Sequence, residues 1–558
     1  MNTTARYAAA VLALLLMTGC ATASSAVPAR ERPADAPLTV RVDSGRLHGV
    51  ATGKARRFLG VPYAKPPTGA LRWAPPQPPE PWDGVREATA SGSKCPQSTP
   101  GAKPSTNEDC LFLDVTTPRR QAPGTKLPVM VWWHGGGFTR DSGSDYNAER
   151  MAEQGDVIVV TVNYRLGILG YLGLPGLPGS GNFGFADQIA TLKWARRNAA
   201  AFGGDPDNLT VFGQSAGAMS ACALLTSPAA EGLVDKAVIS SGSCRLDWPT
   251  GGLFPGAPAH SPYVPLRRGQ GDGLAAAREL GCAEGEELAC LRSKPVAELL
   301  PKTQQFADHL AHGTALLPVH PATALRTGAF AKVPVISGGN HDEARSFVAG
   351  AMAFDPKLIT ARTYPELLRR AFGDRADEVG ARYPLSKYPS AGLAWATVTT
   401  DRSWACRTLA GNRQFAAHTT VYPYEFADPD APDVNQLRVP EVPQGAAHAT
   451  ELPSLFDLHG VDLLRGGPQR ELSRQLTGYW TRFAHTGNPN HDGAPHWPSM
   501  PKATPGAAGA AGAAGAAGDR VLRFVPGAVA SADFAADHQC RFWDTFDPVN
   551  ARGAAGRD

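Results

Sequence analysis

The sequence has little charge bias. Across 558 residues, 54 Lys and Arg stand against 51 Asp and Glu, a formal charge of +3. It also lacks any basic run with interleaved aromatics, so nothing in it points to nucleic acid as a partner. Metal-binding spacings are missing: there is no C-x-x-C pair and no H-E-x-x-H, and the 14 histidines are scattered. No metal or cofactor is therefore expected. The apolar run near the N-terminus, Val11–Met17, is too short to cross a bilayer.

What that run does fit is a leader. Arg6 is the only charge ahead of it and Thr18-Gly19-Cys20 follows. A short positive segment, an apolar core and small residues at the exit read as a secretory signal over 1–19. The small residues before Cys20 resemble a lipoprotein cleavage site, with Cys20 as the lipidated N-terminus, although Met17 stands where that pattern usually has Leu. Ordinary cleavage after Ala23 or Ala26 is the alternative. Any membrane association is expected only through such an anchor, and the protein is expected at the cell surface or secreted. Residues 20–37 read as a flexible tether, 38–548 as the folded domain and 549–558 as a tail. Nine cysteines, eight beyond Cys20, agree with an oxidising compartment. Cys95/Cys110 and Cys282/Cys290 are close enough in sequence to close short loops.

Proline (49) and glycine (60) are abundant, which suggests long ordered loops. Between them lie apolar runs at Leu127–Trp133, Val157–Val162, Leu209–Phe212, Lys236–Ile239 and Val333–Ile336. Continuous rather than alternating apolar strands are expected where both sheet faces are covered. A helical pattern such as Phe185–Ala195 lies between strands. The alternation predicts an α/β fold with a mostly parallel central sheet flanked by helices. Thr250–Lys332 mixes helical pieces and loops and is expected to form a cap. The Gly-Ala-Ala tract in 505–518 reads as a flexible surface loop.

The chemistry concentrates in Gly213-Gln214-Ser215-Ala216-Gly217. A strand precedes this G-x-S-x-G pentapeptide and a helical run, Ala218–Leu225, follows it. A serine in a sharp strand-to-helix turn has an exposed hydroxyl, which makes it a nucleophile rather than a turn residue. His134-Gly135-Gly136-Gly137-Phe138 follows another strand, and its glycines would let backbone N–H groups face a substrate carbonyl. Gly136, Gly137 and Ala216 are the expected oxyanion donors. Gly179–Gly184 satisfies G-x-G-x-x-G, but no strand leads into it, so a dinucleotide site is rejected. The base should be a later histidine, and composition does not choose among twelve from His260 to His538. His448, in a small-residue loop after the strand-like Val421–Phe426, is well placed.

From about Val42 to Phe546 the chain resembles the carboxylesterase type-B family of α/β-hydrolases, which includes cholinesterases, liver-type carboxylesterases and some lipases. The resemblance rests on Phe202–Gly217, Glu108–Val115, Phe58–Pro67 and Asn163–Gly167. It implies an α/β-hydrolase fold with helical and loop cap insertions, and ester hydrolysis without a cofactor. It also implies a triad of Ser215, His448 and Glu343, with Asp342 the adjacent alternative acid and Asp401 a more distant one. By the same resemblance Asp401 would be bonded to Ser241 near the base. Arg165–Asp187 and Arg72–Glu108 would be structural ion pairs. The implied disulfides are Cys95–Cys110, Cys282–Cys290 and Cys406–Cys540, which leaves Cys222 and Cys244 as free thiols or a further pair.

Departures from the family bear on substrate. Cholinesterases hold a quaternary ammonium over an aromatic platform, with a key Trp between the first two disulfide cysteines. No aromatic residue occurs between Cys95 and Cys110 here, and neutral Gln214 stands where cholinesterases have Glu. A neutral short-to-medium-chain or aryl ester is the expected small-molecule substrate. Action on long-chain acyl esters is the nearest rival, and a purely adhesive role is a distant one.

Overall fold

The computed structural model describes residues 34–98, 103–502 and 519–547. The signal segment, Cys20, nearly all of the tether, the Gly-Ala-Ala tract and the tail lie outside the described residues. The frame is an eleven-stranded sheet. In chain order its strands are β1 (Val50–Ala51), β2 (Ala55–Pro62), β3 (Phe112–Pro118), β4 (Leu127–Trp133), β5 (Ile158–Val162), β6 (Gly204–Gln214), β7 (Lys236–Ser240), β8 (Val335–Asn340), β9 (Val421–Phe426), β10 (Arg520–Phe524) and β11 (Ala530–Asp533). Across the sheet the order is β11-β10-β9-β8-β7-β6-β4-β5-β3-β2-β1. Strands β4 to β10 run parallel. Antiparallel neighbours finish both edges.

The central strands have apolar residues at consecutive positions because each face has its own core. Val129, Val131 and Trp133 of β4 point into one cluster, Met130 and Trp132 into the other, as a side-chain period of two requires. Every residue of β4 and β5 is buried. Burial of that extent on both faces is what a parallel sheet covered by helices demands. The strand expected from Val333 begins only at Val335, just past Pro334, which has no N–H to give the ladder.

Helix α1 (Phe183–Asn198) crosses from β5 to β6, and α2 (Ala216–Leu225) from β6 to β7. Residues between β7 and β8 form the expected cap, with helix α3 (Leu266–Glu279) as its longest element. A second helical excursion adds to the expected cap. It lies between β8 and β9 and carries α4 (Arg345–Phe354) and α5 (Cys406–Ala416). Helix α6 (Gly466–Thr486) then lies against the face that holds Trp132 and Phe212. No helix among the described residues is long and apolar enough to cross a membrane.

Among the described residues, four disulfides join the chain. Cys95–Cys110, Cys282–Cys290 and Cys406–Cys540 pair as the resemblance implies, and Cys222–Cys244 forms a fourth. The fourth links α2, the helix after Ser215, to the segment after β7. A buried ion pair joins Arg165 to Asp187 at 2.7 Å, and a partly buried one joins Arg72 to Glu108.

Candidate active site

Ser215 lies between the last residue of β6 and the first of α2, at φ 54° and ψ −123°. A non-glycine residue at positive φ is strained. The turn is held by Ser215 N donating to Ser240 O at 3.0 Å and Met219 N donating to Ser215 O at 2.8 Å. The flanking glycines follow from crowding. A Cβ on Gly217 would lie 1.9 Å from the Trp133 carbonyl oxygen, and one on Gly213 would lie 2.5 Å from the Gly217 carbonyl carbon. Only residues without a side chain let β4, β6 and α2 approach this closely.

The glycine loop leaves β4 next to that turn. A Cβ on Gly135 would lie 3.0 Å from the Ser215 Cβ, so the loop passes directly beside the serine. Gly136 and Gly137 both have positive φ, 90° and 60°. Tyr164 Oη donates to His134 O at 2.7 Å and its ring stacks on the imidazole with centroids 4.3 Å apart, which fixes the loop's base. Burial holds the His134 imidazole below its usual pKa.

His448 and Glu343 come together from segments 105 residues apart. Nδ1 of His448 donates to Glu343 Oε2 at 2.5 Å. The other carboxylate oxygen accepts from Asn340 N at 2.8 Å. A Cβ on Gly339 would meet that oxygen at 2.5 Å, so the end of β8 leaves room for the carboxylate. Ser215 and His448 are each 8% exposed and Glu343 2%. Nε2 of His448 meets Nε2 of Gln214 at 3.2 Å. Gln214, not Ser215, is thus the hydrogen-bond partner of that ring nitrogen among the described residues. Asp342 faces elsewhere: Arg345 lies 2.8 Å from it and Ala446 N donates to it at 3.1 Å.

One expected contact does not form. Asp401 accepts from His538 Nδ1 at 2.6 Å and from Tyr383 Oη at 2.8 Å, while the buried Ser241 hydroxyl has no hydrogen-bond partner among the described residues. Against the effect of burial, the Glu425 and Asp401 carboxylates raise the His538 imidazole to about 10, and a neutral serine hydroxyl is a weaker donor to Asp401 than this ring. Ser241 lies near Glu343 instead, as both crowd the position of a Gly339 Cβ.

Several residues around the site carry no motif in the sequence. Asn340 Nδ2 donates to Glu451 Oε2 at 2.7 Å and to Ala447 O at 2.6 Å. Burial, reinforced by the Glu343 carboxylate, pushes the Glu451 carboxyl up to about 7. Trp404 and Phe347 pack on His448 with ring centroids 4.8 and 5.1 Å away. Phe254, largely exposed, packs on Phe347, and Trp248 packs on Trp404. These aromatics come from the two excursions, and no local pattern marks them. Asp308 N donates weakly to Gly137 O at 3.4 Å. Burial raises the Asp308 carboxyl to about 6, against the pull of His260, His309 and His448.

Residues 36–509 match the model of the carboxylesterase family. The chain belongs to the carboxylesterase family. It is 35% identical to the para-nitrobenzyl esterase of Bacillus subtilis over 491 residues, 83% of this chain and 93% of that one. It is 32% identical to the human cocaine esterase over 80% of this chain and 82% of the relative. To the fumonisin B1 esterase of Sphingopyxis macrogoltabida it is 32% identical, over 85% and 87%. A thermophilic PNB esterase structure superposes with a TM-score of 0.72 at 29% identity and covers 91% of this chain and all of that one. This carboxylesterase is therefore an α/β-hydrolase-fold enzyme that hydrolyses carboxylic esters.

Proposed function

We propose that this carboxylesterase works through Ser215 as nucleophile, His448 as general base and acid, and Glu343 as the group that orients the imidazole. The observation that carries the reading is the 2.5 Å bond from His448 Nδ1 to Glu343 Oε2. That bond calls for the proton on Nδ1 and makes Nε2 the nitrogen with the lone pair. Gln214 must give up its bond to Nε2 as Ser215 Oγ approaches, an adjustment of the kind expected when substrate tightens a resting site. Ser215 Oγ then attacks the ester carbonyl while Nε2 accepts its proton. The amides of Gly136, Gly137 and Ala216 hold the oxyanion, each worth on the order of 3 kcal/mol in the transition state. His448 returns the proton to the departing alcohol, and water cleaves the acyl-enzyme by the same route.

The substrate class follows from the walls. Trp404, Phe347 and the exposed Phe254 make an aromatic wall beside His448. Gln214 brings no charge, and the Cys95–Cys110 segment has no aromatic residue. We assign neutral short-to-medium-chain or aryl esters, in line with the relative named for para-nitrobenzyl. The four disulfides support export, with Cys20 as the lipid attachment point.

Ser215→Ala is the direct test. It should keep the unfolding temperature within about 2 °C and lose aryl acetate turnover by several orders of magnitude. A fully active variant would overturn the assignment.

A further inference from the structure

A second polar cluster lies beyond the end of β8. The register pairs Gly339 with Glu425 and Asn340 with Phe426, and His341 N donates to Phe426 O at 2.9 Å. His341 therefore leaves the sheet beside Glu425 of β9. His538 arrives from the C-terminal segment, two residues before Cys540, which the disulfide to Cys406 anchors. One ligand-capable atom from each of His341, Glu425 and His538 lies within 4.8 Å of the other two. Glu425 and His538 are buried, and His341 is partly open to solvent.

The partners of these three side chains are those of metal ligands. A ligating histidine characteristically donates its second ring N–H to a carboxylate, and a ligating carboxylate is itself hydrogen-bonded. His538 Nδ1 binds Asp401 at 2.6 Å, and Tyr383 Oη holds Asp401 in turn. His341 Nδ1 binds Asp342 Oδ1 at 3.0 Å, which leaves its Nε2 as the ligating atom. Glu425 Oε2 accepts from Arg523 Nε at 2.5 Å, so Oε1 is the oxygen left to ligate. That oxygen accepts from His538 Nε2 at 2.6 Å, the hydrogen bond that an entering ion replaces. Two imidazoles and one carboxylate, each oriented from behind, are a donor set suited to a divalent first-row ion.

We propose that His341 Nε2, Glu425 Oε1 and His538 Nε2 bind one zinc-class divalent ion, with water from the open His341 side as the fourth ligand. A tetrahedral ion about 2 Å from its ligands spaces them about 3.3 Å apart. To take the ion, Glu425 Oε1 and His538 Nε2 part from 2.6 Å to that spacing while the partly exposed His341 ring closes on it. A proton on His538 Nε2 competes for the same place and leaves to solvent when the ion enters. The ion ties the C-terminal segment and β9 to the loop that carries Glu343. Ligands this far apart in the chain make no spacing pattern, so no metal motif marks them in the sequence.

The test uses the full chain, stripped with EDTA and dialysed at pH 8. Zn²⁺ is then titrated by calorimetry, and Co²⁺ is added in parallel for visible absorption. One Zn²⁺ per chain is expected, together with the strong absorption of low-coordinate cobalt. His341→Ala removes a partly exposed ligand without stranding a buried charge, and His341→Gln serves if the alanine variant does not fold. Either should weaken Zn²⁺ by about tenfold or more and abolish the cobalt band. No stoichiometric Zn²⁺ uptake, or the same affinity in the His341 variant, would overturn the proposal. Neither readout depends on ester turnover, so a failed triad assignment would leave this test unaffected.

Discussion

Gln214 Nε2 lies 3.2 Å from His448 Nε2, so the residue ahead of the nucleophile touches the nitrogen proposed to activate it. A neutral amide at this distance steadies the ring without favouring its charged form. A carboxylate there would favour the imidazolium, since an opposite charge within hydrogen-bond reach stabilises the protonated state. Gln214→Glu should therefore move the acid limb of the kcat/KM profile for an aryl acetate upward by about one pH unit, or ~1.4 kcal/mol. Superimposable pH profiles for the two proteins would show that Gln214 does not contact the working base.

Glu451 predicts how stability depends on pH. Its carboxyl is buried, lies near Glu343 and His448, and is raised to about 7. A folded-state value above the unfolded one means the native state binds the proton more tightly. The resulting stability is fully present below the unfolded value of 4.5 and is lost as pH rises through about 7. The full loss is on the order of 3 kcal/mol. Glu451→Gln keeps an acceptor for Asn340 and cannot ionise. The fall in unfolding temperature between pH 5 and pH 8 should be smaller in this variant; an equal fall would assign it to other groups.

Gly217→Ala should be among the most damaging single-methyl additions. The new Cβ would lie 1.9 Å from the Trp133 carbonyl oxygen, which is backbone and cannot rotate away. Overpacking at such a point costs about 1–3 kcal/mol or more, and any relief moves Ser215 against the glycine loop. Chemical denaturation should show the loss, and residual folded protein should have reduced kcat. A stable, fully active variant would show that the nucleophile turn is looser than described.

An ester panel addresses the pocket. Rates should be highest for acetate to mid-length acyl or aryl esters and fall for long chains. A choline ester should gain nothing over its neutral isostere, because no aromatic residue stands between Cys95 and Cys110 to hold the ammonium. Rates that climb steadily with chain length would indicate lipase action, and a marked choline preference would point to Asp308 or the Trp404 wall as a cation site.

The site was legible where chemistry forces local sequence. Gly213, Gly217 and the run Gly135–Gly137 are glycines because backbones meet there, so the pattern appears in consecutive letters. The apolar strands were legible for a similar reason, since a strand covered on both faces has no polar alternation to hide it. His448 could be chosen from among the histidines only through the resemblance. Glu451, Phe347, Trp404 and His538 have no local signature, because each gains its role from a neighbour far along the chain.

Sequence alone therefore determined the fold class, the nucleophile turn and the membership in an esterase family, each of which is written in short-range steric and hydrophobic pattern. Tertiary structure decided which groups share an environment. It set the Glu343–Asn340–Glu451 arrangement, the Gln214 contact to His448, the Cys222–Cys244 pair, and the engagement of Asp401 by His538 instead of Ser241. These depend on burial and on distances across the sheet, and electrostatic and hydrogen-bond energies are set by those distances rather than by order along the chain.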